Sequence, residues 1–261
     1  MRFQLDLTKE YGIVLEGGGA RGSYQIGAWK ALREAGIKIR GIAGASVGAL
    51  NGALICMDDL EKAEEIWENI RYSQVIDVDD DVIETVKKLD LKSLDLVKVA
   101  EDAKRILKDK GLDITPLKNL IESVVDEDKI RSSDRELYLT TYSVTDRELL
   151  VLNAKDIPDG EIGDMLLASA YFPAFRNDKL GGKRYLDGGG WNNVPINILL
   201  EHDYKDILVI RIYGLGYDSE RTTEIPKDVH VTHIAPRQDL GGILEFDRTR
   251  ARKNMTLGYY D

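Results

Sequence analysis

Along the first third of the chain, apolar positions recur with two different periods. Tyr11–Leu15 is a short apolar run closed by glycines, the pattern of a buried strand. From Ser23 to Ala35, Ile26, Trp29, Ala31 and Leu32 fall at helical spacing and share a face. Lys38–Ala45 reads as a second strand, and Val47–Met57 as a helix apolar enough to be buried. Strand and helix alternating in this way imply a parallel sheet covered by helices, an α/β fold.

The pattern changes after Leu60. Residues 60–125 are charged and carry little strand character, and Leu96–Leu107 spaces its apolar residues helically among Lys, Asp and Glu. We read this as a helical insertion that either caps a site or simply covers the sheet. Two β-rich runs follow, Glu136–Val144 and Glu148–Asn153, joined by the polar Thr145-Asp146-Arg147 as a hairpin. Arg184–Leu186, Asp206–Tyr213 and His230–Ile234 read as further strands, and Ile196–Glu201 as a helix. No repeat or linker interrupts the 261 residues, so a single domain over 1–261 is expected.

Composition limits the partners. With 43% hydrophobic and 31% charged residues the chain is an ordinary globular one. Its net charge of -10 repels nucleic acid and the surface of anionic lipids. No nucleic-acid partner is expected, although Lys104-Arg105 and Arg248–Lys253 are local basic clusters. Cys56 is the one cysteine, which excludes an internal disulfide and a thiol-based zinc site; it reads as a buried helix residue. Asp6 stands where a signal peptide is apolar, and no apolar stretch reaches the ~20 residues of a spanning helix. The expectation is a cytoplasmic protein, with peripheral contact at a membrane compatible and export without a cleaved signal left open. Asp77-Val78-Asp79-Asp80-Asp81 imitates a calcium loop. Val82 stands where that loop needs Gly, and Lys88 where it needs Glu. Neither a metal nor a cofactor is expected.

Three short motifs carry chemistry. Gly44-Ala45-Ser46-Val47-Gly48 is G-x-S-x-G at the junction of the second strand and its helix. A nucleophile on such a turn needs close backbone approach on both sides, which Gly44 and Gly48 supply. The bland reading makes Ser46 a helix N-cap. Upstream, Glu16-Gly17-Gly18-Gly19-Ala20-Arg21-Gly22 follows a strand and opens a helix. Its N–H groups suit an oxyanion hole or a phosphate site. It also matches G-x-G-x-x-G, which keeps a nucleotide-binding or regulatory protein as a rival. The next strand, however, ends in Gly44-Ala45-Ser46 rather than at a ribose-binding acid. Ser46 needs a base. His202 sits at a helix end, and His230 and His233 lie on opposite faces of a strand. Either could complete a Ser-Asp-His triad. Asp187, in Leu186-Asp187-Gly188-Gly189-Gly190, is the carboxylate alternative, or an acid in a surface turn.

Taken in order, these residues resemble the patatin-like phospholipase family, which carries G-G-G-x-R-G, then G-x-S-x-G, then D-G-G or D-G-A. Here they are Gly17–Gly22, Gly44–Gly48 and Asp187–Gly189. Ala168–Phe175, Asn192-Asn193-Val194-Pro195, and Gly111-Leu112-Asp113 with Pro116-Leu117 also resemble family segments, so the likeness runs over residues 11–215. The resemblance implies a three-layer α/β/α fold, a mainly parallel central sheet, and an esterase or lipid acyl hydrolase acting on fatty-acyl esters. It implies Ser46 as nucleophile, Asp187 as base, and Gly17, Gly18, Gly19 and the Arg21 backbone as oxyanion hole. The Arg21 side chain would hold the loop or meet a lipid phosphate. Glu16 replaces the frequent Asp and is expected to matter little to the chemistry. Val47 replaces the frequent Ala and would narrow the acyl site. Tyr24, Trp29 and Trp191 are candidates for the acyl pocket or for the core.

Overall fold

The computed structural model describes residues 5–77 and 111–261. Its centre is a sheet formed by β1 (Glu10–Leu15), β2 (Lys38–Ala45), β3 (Glu136–Ser143), β4 (Glu148–Asn153), β5 (Tyr185–Asp187), β6 (Asp206–Ile210) and β7 (His230–Ile234). The order across it is β4-β3-β2-β1-β6-β7, with β5 paired to β3. β3, β2, β1, β6 and β7 are parallel, while β4 and β5 run antiparallel to β3.

Alternation along the strands builds two cores. Ile13, Leu15, Ile42, Leu137, Leu139, Leu208 and Ile210 face the larger one. It includes residues of α1 (Ser23–Glu34), α2 (Val47–Cys56), α3 (Leu60–Asn69), α4 (Thr115–Val124), α5 (Glu127–Ser132) and α6 (Ile162–Ser169). Val14, Ala43, Tyr138, Ile207 and Val209 point the other way, against Ile196, Ile198 and Leu199 of α8 (Ile196–Glu201). Helices therefore cover both faces, as the α/β/α expectation requires. Between β5 and α8 lies the single turn α7 (Gly189–Asn192).

The hairpin and the strands of the first third form where the pattern puts them. The C-terminal helix α9 (Arg248–Tyr260) escaped that reading, because its buried face is Ala251, Asn254, Met255 and Gly258 rather than a stripe of large apolar residues. It packs closely on α1: a Cβ on Gly27 would lie 1.9 Å from the Met255 carbonyl oxygen, and one on Gly258 2.0 Å from that of Tyr24. Of the expected insertion, α3 and α4 are seen. Leu96–Leu107, Lys104-Arg105 and the acidic run beyond Asp77 lie outside the described residues. Among the described residues no helix is long and apolar enough to cross a membrane.

Candidate active site

β3 acts as the ruler of the site. One of its edges pairs with β4 throughout Tyr138–Ser143. The other pairs with β2 as far as Ala45 opposite Thr140, and then with β5, where Asp187 stands opposite Thr141. β2 and β5 thus meet end to end, and the residue after β2 is Ser46. Two motifs separated by 140 residues of sequence arrive at neighbouring rungs of one strand.

Ser46 has φ 54° and ψ -127°. Positive φ is rare outside glycine and persists only where the surroundings impose it. They do so here. A Cβ on Gly44 would lie 2.4 Å from the Gly48 carbonyl oxygen, and one on Gly48 2.1 Å from that of Leu15. Gly44 and Gly48 therefore let strand, turn and helix close on one another. The Ser46 N–H donates to Ser169 Oγ at 3.0 Å, and that hydroxyl donates to the Thr140 carbonyl at 2.7 Å. Ser46 occupies the N-cap position of α2, but its side chain caps nothing.

The Ser46 side chain instead lies beside the Asp187 carboxylate and favours its charged form. Asp187 also accepts the Gly189 N–H at 2.8 Å, and its own N–H is fixed on the Tyr171 carbonyl at 2.8 Å. Gly188 is needed in this turn, since a Cβ there would lie 2.3 Å from the Thr140 carbonyl oxygen. Burial pushes the Asp187 carboxyl up to about 6, against the opposing pull of the Ser46 side chain and of the Gly189 hydrogen bond. None of His202, His230 and His233 lines the pocket around Ser46. His202 stacks on Tyr138, and His233 Nε2 contacts Glu220 at 2.5 Å.

The glycine loop lies beside this pair. Its four expected oxyanion donors are not equivalent. The Gly17 N–H donates to Asn193 O at 3.2 Å and the Arg21 N–H to Gly18 O at 3.3 Å. The N–H groups of Gly18 and Gly19 have no partner among the described residues, and both glycines line the pocket with Ser46 and Asp187. Gly19 has φ 56°, and a Cβ there would lie 2.1 Å from the Ile243 carbonyl oxygen. The Arg21 guanidinium donates to the carbonyls of Gly241, Ile212 and Tyr213, so it holds the loop.

Buried polar side chains brace the same loop. Gln25 donates to Glu16 O at 2.7 Å, Asn51 to Gly22 O at 2.9 Å and to Gln25 Oε1 at 2.9 Å, and Trp67 Nε1 to Asn51 Oδ1 at 3.0 Å. Asn193 Nδ2 donates to Gly17 O at 3.1 Å. Motif reading did not single out the roles of Ser169 and Asn193. Their signal was present in the family-like stretches Ala168–Phe175 and Asn192–Pro195, each a small or polar residue among apolar ones.

The pocket encloses about 1100 Å³, its opening included. Beyond the polar groups just described, its wall is apolar: Val47, Leu50 and Leu54 of α2, Trp67 of α3, Leu117 and Ile121 of α4, then Phe172, Phe175 and Phe246. Val47 stands in this wall beside Ser46, with one methyl packed toward Gly22. The proposed aromatic candidates lie elsewhere. Tyr24 and Trp29 are core residues, and Trp191 is 40% exposed and stacked on Tyr142. They sit on faces of α1 and α7 that do not line the pocket. Cys56 is buried at the end of α2, as expected.

A family model described as patatin-like phospholipase matches residues 13–200. Over 50 residues the chain is 58% identical to "Lysophospholipase nte1" of Aspergillus terreus, a stretch covering 19% of this chain and 3% of that protein. Over 47 residues it is 57% identical to "Neuropathy target esterase sws" of Drosophila sechellia, covering 18% and 3%. The aligned stretches are thus a small part of these much longer relatives. The crystal structure of VipD from Legionella pneumophila superposes with a TM-score of 0.54 over 96% of this chain and 65% of that one, at 14% identity, which shows a common fold. The family match takes in the glycine loop, the serine turn and the Asp187 turn alike, and the chain belongs to the patatin-like phospholipase family.

Proposed function

We propose that this chain hydrolyses carboxylic esters of long-chain lipids through a Ser46–Asp187 dyad. The observation that carries the reading is the juxtaposition of Ser46 and Asp187 inside an apolar pocket that Gly18 and Gly19 also line. A carboxyl raised to about 6 is ionised at neutral pH yet basic enough to take a hydroxyl proton. Asp187 takes that proton as Ser46 Oγ attacks the ester carbonyl carbon. Negative charge develops on the carbonyl oxygen, and the Gly18 and Gly19 N–H groups, which have no partner among the described residues, stabilise it. Collapse of the tetrahedral adduct breaks the ester C–O bond, and Asp187 returns the proton to the leaving alcohol. Water, deprotonated by Asp187, then attacks the acyl carbon; the bond from that carbon to Ser46 Oγ breaks, Asp187 returns the proton to Ser46, and the fatty acid leaves.

An apolar wall beside a single reacting end suits a substrate whose acyl chain is long and whose ester is at its tip. A fluorophosphonate probe tests the reading directly. Labelling of the wild type that vanishes in Ser46→Ala, with hydrolysis of lipid esters lost in Ser46→Ala and Asp187→Asn, supports it. Labelling or hydrolysis that survives Ser46→Ala refutes it.

A further inference from the structure

The Gly18 and Gly19 amides lie in a loop with few hydrogen bonds of its own, and two charged side chains bracket that loop. We infer that Glu16 is a positioning residue of the site: with Arg21 on the other side of the glycines, it grips the backbone of Ile212 and Tyr213 and so sets where the Gly18 and Gly19 N–H groups point. The inference rests on the reading of Ser46 as nucleophile.

Glu16 is 2% exposed. One of its oxygens, Oε2, accepts from the Ile212 N–H at 2.7 Å, the Tyr213 N–H at 2.9 Å and Arg211 Nε at 3.1 Å. From the opposite side, Arg21 donates to the carbonyl oxygens of the same two residues. The N–H groups of Ile212 and Tyr213 are thus held by the residue before the glycines, and their carbonyls by the residue two places after them. The gripped segment touches the loop. A Cβ on Gly18 would lie 2.8 Å from Ile212 Cδ1, and one on Gly214 only 1.8 Å from the Gly17 carbonyl oxygen. Tyr213 is held at φ 50°, a left-handed conformation that a bulky residue adopts only under constraint. Arg211 is itself fixed, meeting Asp218 and Glu220 at 2.7 Å each. Hydrogen bonds to an ionised acceptor are about twice as strong as neutral ones, so an amide at position 16 would grip more weakly than a carboxylate.

The test compares Glu16→Gln and Glu16→Ala with the wild-type chain. Glutamine is expected to lower kcat about 10-fold and alanine about 100-fold, the scale of a displaced oxyanion donor, with KM for a short-chain nitrophenyl ester within twofold. Affinity for a trifluoromethyl ketone, whose tetrahedral adduct places an oxyanion in the hole, falls by the same factor as kcat. Affinity for a fluorescent fatty acid stays unchanged; a merely structural role would weaken both ligands together. Hydrogen exchange gives a readout independent of activity, and the backbone around Gly18 and Ile212–Gly214 exchanges faster in both variants. Glu16→Gln, nearly isosteric, keeps the test available if alanine unfolds the protein. Unchanged kcat, ketone affinity and exchange in a folded variant overturn the inference. Faster exchange in a protein whose wild type shows no Ser46-dependent hydrolysis supports the grip and overturns the hydrolase reading instead.

Discussion

Replacing Asp187 by Asn removes a charge and little else. The amide oxygen of Asn can accept the Gly189 N–H, which lies 2.8 Å from Asp187 Oδ1, and the side chain keeps its volume. Burial raises the Asp187 carboxyl from 3.8 to about 6, a gap of about two units, or about 3 kcal/mol. That figure is an upper bound, because Asp187 keeps some solvent access. The folded chain holds this proton more tightly than the unfolded chain does. Stability from the protonated carboxyl is therefore present below about pH 4, declines as pH rises to about 6, and is gone above it. Asn has no proton to lose. The stability of Asp187→Asn relative to wild type should grow by as much as about 3 kcal/mol between pH 4 and pH 7, then level off. Catalysis should move the other way, with hydrolysis falling by about 10²–10⁴-fold, the contribution of a positioned base. In the wild type, log kcat/KM should climb to about pH 6 and then flatten. Urea unfolding of both proteins at pH 4.5 and 7.5, beside a pH–rate profile, checks all of this. A stability difference identical at the two pH values would refute the burial argument. A rate inflection that disappears when one histidine is replaced would refute the dyad.

Replacing His202, His230 and His233 together should leave kcat/KM within a few-fold of wild type, since none of them lines the pocket; loss of activity through one alone would instead favour a triad. Val47→Ala removes two methyls beside Ser46 and should raise activity on α-branched acyl esters relative to linear ones; an unchanged preference in competition assays would dismiss Val47 as the width gate. Leu50→Trp, one helical turn from Ser46 in the pocket wall, should depress long-chain hydrolysis more than hydrolysis of a butyrate ester, and equal losses on both would count against the acyl pocket. Gly214→Ala forces a methyl toward the Gly17 carbonyl oxygen, 1.8 Å away before relaxation. It should destabilise the protein by about 1–3 kcal/mol and cut activity further than that loss explains, as thermal unfolding and kinetics together would reveal.

What was legible in the sequence was local. The apolar runs of β1 and β2 and the helical spacing of α1 declare themselves because strand and helix periods differ. The elbow at Ser46 is visible because a sharp turn with close approach on both sides demands small residues, and Gly44 and Gly48 are that demand written down. From the residues alone Asp187 was legible only as one of two options for the base, an acid in a glycine turn, and its preference over a histidine is what the family likeness implies. The rest depends on residues distant in sequence. β3 brings the end of β2 and the end of β5 to adjacent rungs, and no local pattern encodes that pairing. The Asn193 carbonyl engages the Gly17 N–H and Gly18 O engages that of Arg21, so of four equivalent-looking amides only those of Gly18 and Gly19 lack a partner among the described residues. Glu16 looked incidental as a letter before three glycines, and its hydrogen bonds reach to residues 211–213. The pocket wall joins α2, α3 and α4 with Phe172, Phe175 and Phe246, while the equally large Tyr24 and Trp29 go to the core. Residue type and spacing determine which chemistry the chain can perform. Packing between distant segments decides where that chemistry sits, because burial and strand pairing belong to the folded chain as a whole.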